Sequence, residues 1–198
     1  MELHQLALIL VDIQHDFWQP LKGSPQAQAF PANVAALLGS ARAHGLTILH
    51  TQAVFQPDRS DWMLFYRPQG RGQVPCMAGS AGAQFEPFAA PLGDEDIIQK
   101  QTFDGFAHTD LERRLRERGI KTALIAGLET SVCVLFTATS AYLRRFVPLV
   151  VADACADEPE RHAATLRMYD RLCFQTVTTA QAQGDYTELL RVAELFAD

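Results

Sequence analysis

Cysteine is scarce in this chain. Its four copies in 198 residues (Cys76, Cys133, Cys155, Cys173) form no C-x-x-C pair, so neither a disulfide framework nor a zinc knuckle is expected and the thiols read as free. Cations are also in the minority: 17 Lys and Arg against 23 Asp and Glu leave a net charge of −6. That balance argues against a nucleic-acid partner, whose phosphates require clustered cations to displace counterions. The densest basic stretch, Glu112-Arg-Arg-Leu-Arg-Glu-Arg118, is interleaved with acids and reads as a solvated helix face. No run approaches the ~20 apolar residues that cross a bilayer, and no basic segment leads into an apolar one near the start. A cytosolic protein with no membrane partner is the expectation. Internal repeats and low-complexity segments are missing as well.

With 48% hydrophobic residues the chain can bury one substantial core, and residues 1–198 read as a single domain. Strand and helix patterns alternate along it. Strands are predicted at Leu6 to Asp12, Thr47 to Thr51, Asp96 to Lys100, Thr122 to Ala126, Phe146 to Ala152 and Phe174 to Val177. Helices are predicted from Val34 to His44 with Asn33 as N-cap and Gly45 beyond the end, and from a capping box of Thr109 and Glu112 to Gly119. Three more are expected around Cys133, after Asp157 with Glu160, and from Tyr186 to Phe196. Six alternations predict an α/β fold with a parallel sheet and helices on both faces. The stretch from Gln52 to Glu95 breaks the rhythm: it holds five prolines and five glycines but also Trp62, Phe65, Tyr66, Phe85 and Phe88. That aromatic content predicts an ordered cover over the sheet rim, since disordered linkers are poor in such residues.

Three strands end in chemistry. Leu6-Ala-Leu-Ile-Leu-Val11 delivers Asp12, Asp96-Ile-Ile-Gln99 delivers Lys100, and the strand ending near Gly127 leads into Cys133. Parallel strands aim their carboxyl ends at one rim, so the three should converge there. A thiol at a helix N-terminus faces unpaired N–H groups and the positive end of the dipole, which predicts a lowered pKa for Cys133. Taken singly, an Asp after a strand is usually a cap, a Lys is usually solvated and a Cys is usually a small core residue. Only the group argues for function. Cys155 is a weaker nucleophile candidate, Cys76 falls in the cover and Cys173 reads as core.

Asp12-Ile-Gln-His-Asp-Phe17, Lys100-Gln-Thr-Phe-Asp-Gly-Phe106, Thr109-x-Leu111 and Gly127-Leu-Glu-Thr130-Ser-Val-Cys133-Val134 resemble, in order and spacing, the markers of the isochorismatase-like cysteine hydrolases. The likeness runs from Leu6 to about Thr179. It includes the Ala78-Gly-Ser-Ala-Gly-Ala-Gln84 segment and Asp153-Ala-Cys-Ala156. The resemblance implies a three-layer α/β/α, Rossmann-like fold with a six-stranded parallel sheet and an Asp12, Lys100, Cys133 triad. It also implies an oxyanion hole from the backbone N–H groups of Glu129 and Cys133, with a cis peptide between Leu128 and Glu129. Family members are often dimers or tetramers, so the resemblance implies a homo-oligomer. The roles follow from the chemistry. Asp12 serves as general base, Lys100 holds the carboxylate and favours the thiolate, and Cys133 attacks a carbonyl.

Some members, the nicotinamidases, carry an Asp-x-His metal motif just after the second strand. Here Ala53 and Phe55 stand at those positions and cannot coordinate a cation, so no metal is predicted and nicotinamide is disfavoured. His50 and His108 read as structural, and Asp16 as a turn or cap residue. The glycines of Gly70-Arg-Gly72 and the Gly79, Gly82 pair do not link a strand to a helix as a phosphate-binding loop would, so no nucleotide cofactor is implied. Phe17, Trp18, Trp62, Tyr66, Phe103 and Phe106 are candidate pocket walls, and Arg59, Arg67 or Arg71 could hold a substrate carboxylate. The reading is a cofactor-free hydrolase that cleaves a non-peptide C–N bond of a small amide or carbamoyl compound through a Cys133 thioester. Two alternatives stand beside it: isochorismate-type vinyl-ether hydrolysis, which needs protonation rather than a thiol, and a thiol redox or ligand-binding protein without turnover.

Overall fold

Leu6–Val11 (β1) and Thr122–Leu128 (β4) are apolar almost throughout and buried at every position, the mark of strands covered on both faces. They form the centre of the sheet. The computed structural model describes residues 2–24, 27–67, 73–184 and 186–195. Its six strands are all parallel, in the order β3-β2-β1-β4-β5-β6. Thr47–Ala53 (β2) flanks β1, and Asp96–Lys100 (β3) is an edge strand whose partly exposed pattern fits its position. On the other side come Val147–Ala156 (β5) and Gln175–Val177 (β6). Strand order reverses between β1 and β4, which opens a crevice at their carboxyl ends.

The helices are α1 (His15–Trp18), α2 (Phe30–Ala43), α3 (Leu111–Glu117), α4 (Leu135–Leu143), α5 (Pro159–Tyr169) and α6 (Thr187–Glu194). Right-handed crossovers place α2 on one face and α3 with α4 on the other. The segment leading into α6 is tied to α2 through Tyr186 Oη, which donates to Ser40 Oγ at 3.0 Å, and α3 to α4 through Arg144 and Glu112 at 3.0 Å. One continuous core, from Leu6 to Ala193, fills the space between sheet and helices.

Several boundaries differ from the sequence expectation. Helix α2 begins at Phe30 rather than Val34, with Pro31 in the first turn where its missing N–H costs nothing. Asn33 is therefore inside the helix, and its amide donates to Asp153 O at 2.7 Å instead of capping. The Thr109 hydroxyl bonds Gly105 O while Glu112 pairs with Arg116 and Arg144, so no capping box forms. Asp157 lies two residues before α5. The carboxyl end of β4 runs two residues past Ala126, and β5 continues to Ala156, so Cys155 lies within a strand rather than after one. The last helix ends at Glu194, and Phe196 is outside the described residues.

The stretch from Gln52 to Glu95 is an ordered cover built on a second apolar cluster of Ala53, Phe55, Trp62, Tyr66, Val74, Cys76 and Ala83. Gln14, fully buried, ties it to the sheet. Its amide donates to Ala53 O and Ala83 O at 2.8 and 2.9 Å and accepts from Ala53 N at 2.8 Å. The Gly70-Arg-Gly72 motif lies outside the described residues.

Candidate active site

Asp12, Lys100 and Cys133 meet at the rim. The Lys100 ammonium has three acceptors around it: Asp12 Oδ2 at 2.6 Å, Thr102 O at 2.7 Å and Cys133 Sγ at 3.6 Å. Hydrogen bonds to Thr102 O and Cys133 Sγ and the ion pair with Asp12 together compensate this buried cation. Lys100 ends an edge strand two places from β1, and its long side chain spans that distance. Both side chains of the pair are 0% exposed. Asp12 is fixed from its other oxygen by the Thr51 hydroxyl, which donates to Oδ1 at 2.7 Å. Burial pulls the Lys100 pKa down, but Asp12 and Cys133 outweigh it and hold it above the ordinary lysine value.

Cys133 departs from expectation. Between β4 and α4 the chain makes one π-helical turn, Thr130–Val134, so the thiol sits before the α-helix rather than at its free N-terminus. The N–H groups of Val132 and Val134 are already bonded to Glu129 O, both at 3.1 Å. Burial pushes the Cys133 thiol up. Lys100 opposes this, while the charge of Asp12 and a hydrogen bond to it favour the protonated form. The balance favours a thiol beside the carboxylate over a preformed thiolate. The expected lowering by the helix dipole is overturned by enclosure.

The turn itself is closely specified. Gly127 has φ +136°, and a Cβ there would lie 2.1 Å from Val11 O, so only glycine lets β4 approach β1 so closely. The Leu128–Glu129 peptide is cis. Asp157 Oδ2 accepts the Ser131 N–H at 2.7 Å, and the Thr130 hydroxyl lies 2.8 Å from His162 Nδ1, pinning the turn to the start of α5.

Cys133 and Lys100 open into a cavity of about 630 Å³. Phe17, Tyr66 and Phe103 line it, as the sequence suggested, together with Ala53, Phe55, Met63, Phe65, Val132, Phe136, Glu129 and Arg161. Ala53 and Phe55, the positions where a metal-binding relative has its ligands, contribute apolar wall. Burial pushes the Tyr66 hydroxyl up, so it stays a neutral donor or acceptor. Trp18, Trp62 and Phe106 do not face the cavity. Trp18 stacks on Phe30 with centroids 5.1 Å apart, Trp62 donates Nε1–H to Gln56 O at 2.8 Å beneath the cover, and Phe106 stacks on Phe146 at 5.9 Å. Arg59 lies over the Trp62 ring, and Arg67 Nε donates to Trp62 O at 2.9 Å, so both serve the cover. Arg71 is outside the described residues. Two missed residues were within reach of the sequence: Phe136 is three positions beyond Cys133 and so on its side of the turn, and Arg161 lies in the first turn of the helix after β5, at the same rim.

Of the remaining candidates, Asp16 Oδ2 accepts the Cys76 N–H at 2.8 Å, a tie between α1 and the cover. His50 is buried against Glu95, 2.9 Å away, and His108 is exposed. Burial pushes the Cys155 thiol up to about 12.

Fold and cavity together define a doubly wound α/β protein with its cleft at the carboxyl rim of the sheet, where strand order reverses. The chain belongs to the isochorismatase family of hydrolases, whose isochorismatase domain matches residues 6–182. It is 29% identical over 183 residues to phenazine biosynthesis protein PhzD1 of Pseudomonas aeruginosa, covering 90% of this chain and 85% of that one. It is 28% identical over 191 residues to maleamate amidohydrolase of Pseudomonas putida, covering 92% and 87%. The crystal structure of an isochorismatase family protein from Desulfovibrio vulgaris superposes with a TM-score of 0.82 at 28% identity, covering 94% and 98%.

Proposed function

We propose that this hydrolase cleaves the C–N bond of a small amide or carbamoyl compound through a thioester on Cys133. The observation that carries the reading is the Lys100 ammonium, set between the Asp12 carboxylate and the Cys133 sulfur at the end of an open cavity. Similarity to a maleamate amidohydrolase supports the same bond type.

Asp12 takes the thiol proton as sulfur attacks the carbonyl carbon. The raised thiol pKa makes transfer and attack concerted, and Lys100 offsets the negative charge that develops on sulfur. The carbonyl oxygen becomes an oxyanion held by the N–H groups of Glu129 and Cys133. Collapse breaks the C–N bond, and Asp12 returns its proton to the leaving nitrogen. Water, deprotonated by Asp12, then attacks the thioester, and the acid departs as Cys133 recovers its proton.

The test is ammonia release from a panel of amides and ureido acids, alongside isochorismate, with intact mass followed in parallel. Wild type is expected to release ammonia and Cys133→Ala to lose at least about a thousandfold in turnover. Cys133→Ser should accumulate an ester-bound acyl group. Turnover of isochorismate that survives Cys133→Ala would replace the amidase reading with vinyl-ether hydrolysis, and an oxidisable thiol with no turnover at all would indicate a redox or binding protein.

A further inference from the structure

The cavity that reaches Cys133 is largely aromatic, with Phe17, Phe55, Phe103 and Phe136 in its wall, and Glu129 brings a carboxyl into the same wall. Glu129 is half-buried. Its carbonyl oxygen is committed within the nucleophile's turn, where it accepts the N–H groups of Val132 and Val134 at 3.1 Å each. Its carboxyl is free: among the described residues no hydrogen bond and no ion pair engages it. The neighbouring acids are all engaged. Asp12 holds Lys100 and the Thr51 hydroxyl, Asp16 accepts the Cys76 N–H, and Asp157, 2% exposed, accepts the N–H groups of Ser131 and Glu158. The neighbouring cations do not satisfy it either. Lys100 is held by Asp12 and Thr102 O, and Arg161 acts on Glu129 through its charge, without an ion pair.

Position decides what this carboxyl can meet. The side chain leaves the same residue whose N–H holds the oxyanion in the mechanism above, so it reaches the substituents of the carbonyl under attack. One of these is the leaving nitrogen, which takes its proton from Asp12 at the closed end, where that side chain is 0% exposed. The other is the retained group, which extends into the open cavity that Glu129 lines. Burial and the neighbouring Asp157 push the Glu129 pKa up, which disfavours the ionised form that an ammonium group would need. Either protonation state keeps an oxygen that accepts a neutral N–H. Covered by an apolar ligand without such a donor, the carboxyl is desolvated and unpaired, which weakens binding.

We propose that Glu129 is a specificity residue that selects carbamoyl compounds over plain carboxamides: its side chain accepts the N–H on the retained side of the carbonyl, a donor that a ureide has and a carboxamide lacks. This rests on the amidase reading above and chooses between its two substrate classes. The Cys133 sulfur bonds to the carbonyl carbon as the bond to the unsubstituted nitrogen breaks, and the thiol proton leaves with ammonia by way of Asp12. Water then releases a carbamic acid and restores the thiol.

The experiment uses a matched set, phenylurea, N-methyl-N-phenylurea and phenylacetamide, in which the retained N–H is present, methylated or replaced by CH2. Each is assayed for ammonia release by wild type, Glu129→Ala and Glu129→Gln. The KM for phenylurea is expected to be about a tenth of that for the other two or lower. Glu129→Ala should raise it about 10- to 100-fold with kcat little changed, and leave the phenylacetamide KM within about threefold. Glu129→Gln, whose amide oxygen accepts the same N–H, should recover part of the loss. Equal effects on all three compounds, or none, would overturn the proposal, as would a phenylurea KM no lower than that of phenylacetamide. If none of the three is hydrolysed, the reaction reading fails for this panel while the acceptor site is still decided by binding. Phenylurea should then protect Cys133 from iodoacetamide at about a tenth of the phenylacetamide concentration, and Glu129→Ala should abolish that advantage. Absent protection, or an advantage that survives Glu129→Ala, overturns it.

Discussion

Cys133 is enclosed at 9% exposure between a carboxylate and an ammonium, and the balance of those neighbours decides its reactivity. Sequence reasoning saw a thiol before a helix and inferred an easily formed thiolate. Depth of burial, which no local pattern encodes, reverses the sign. Alkylation of Cys133 by iodoacetamide, followed by peptide mass to separate it from the three other thiols, should therefore climb steadily with pH through ~8.5, the ordinary thiol value, without levelling off. Lys100→Met should slow it at every pH, because the one neighbour favouring thiolate is gone. That variant leaves Asp12 buried without its cation and should lose about 3–5 kcal/mol of stability, so circular dichroism must show it folded at the assay temperature. A plateau near pH 7 in the wild type would mean that the thiolate is preformed and that the assignment of a protonated resting state is wrong.

At the level of elements, β1 and β4 were legible because central parallel strands read as unbroken apolar runs, and Asp12 and Lys100 were legible because they end such runs. Helix starts were less so. Asn33, Thr109 and Asp157 all have cap-forming side chains, yet Asn33 donates to the distant Asp153 O, Thr109 donates to Gly105 O while accepting the Leu111 N–H, and Asp157 divides its oxygens between Ser131 N and Glu158 N, so none closes the N-cap bond to N2 or N3 that the sequence suggested. The π turn at Cys133 leaves no signature in residue type. Trp18 and Trp62 were misassigned because an aromatic near the rim can pack under the cover as easily as face the cleft. Glycine makes the sharpest contrast between elements. Gly127→Ala, with a Cβ 2.1 Å from Val11 O and φ +136°, forces β4 away from β1. Backbone strain of about 1–3 kcal/mol adds to that displacement, so a large fall in Tm or loss of soluble protein is expected. Gly39→Ala, within α2 and with nothing inside 4 Å, should instead gain about 0.5–1 kcal/mol. Thermal melts of the two variants check both, and a neutral Gly127→Ala would contradict the close β1–β4 approach.

Across the whole molecule, one buried and one half-buried histidine link stability to acidity. His50 of β2 is 1% exposed and bonded to Glu95, which Arg42 of α2 also grips, so one cluster joins a helix, a central strand and the approach to β3. Burial lowers the His50 pKa against the pull of Glu95, and burial lowers that of His162 on α5 as well. For Glu95, burial opposes but the bonds from Arg42 win, holding the carboxyl at about 2. The signs agree. Below the unfolded histidine value of ~6.5 the unfolded chain takes up protons that the folded chain refuses, so stability falls as pH drops towards the folded values. Glu95 contributes stability above its unfolded value of 4.5, and this is lost as pH falls from there through about 2. Guanidinium unfolding should thus show little change between pH 8 and 7, then a decline below pH 6.5 of up to about 1.4 kcal/mol per pH unit for each of the two histidines. His50→Gln cannot take up the proton yet keeps a donor for Glu95. It should flatten the slope between pH 6.5 and 5, and an unchanged slope would show that His50 is not a source of the acid sensitivity.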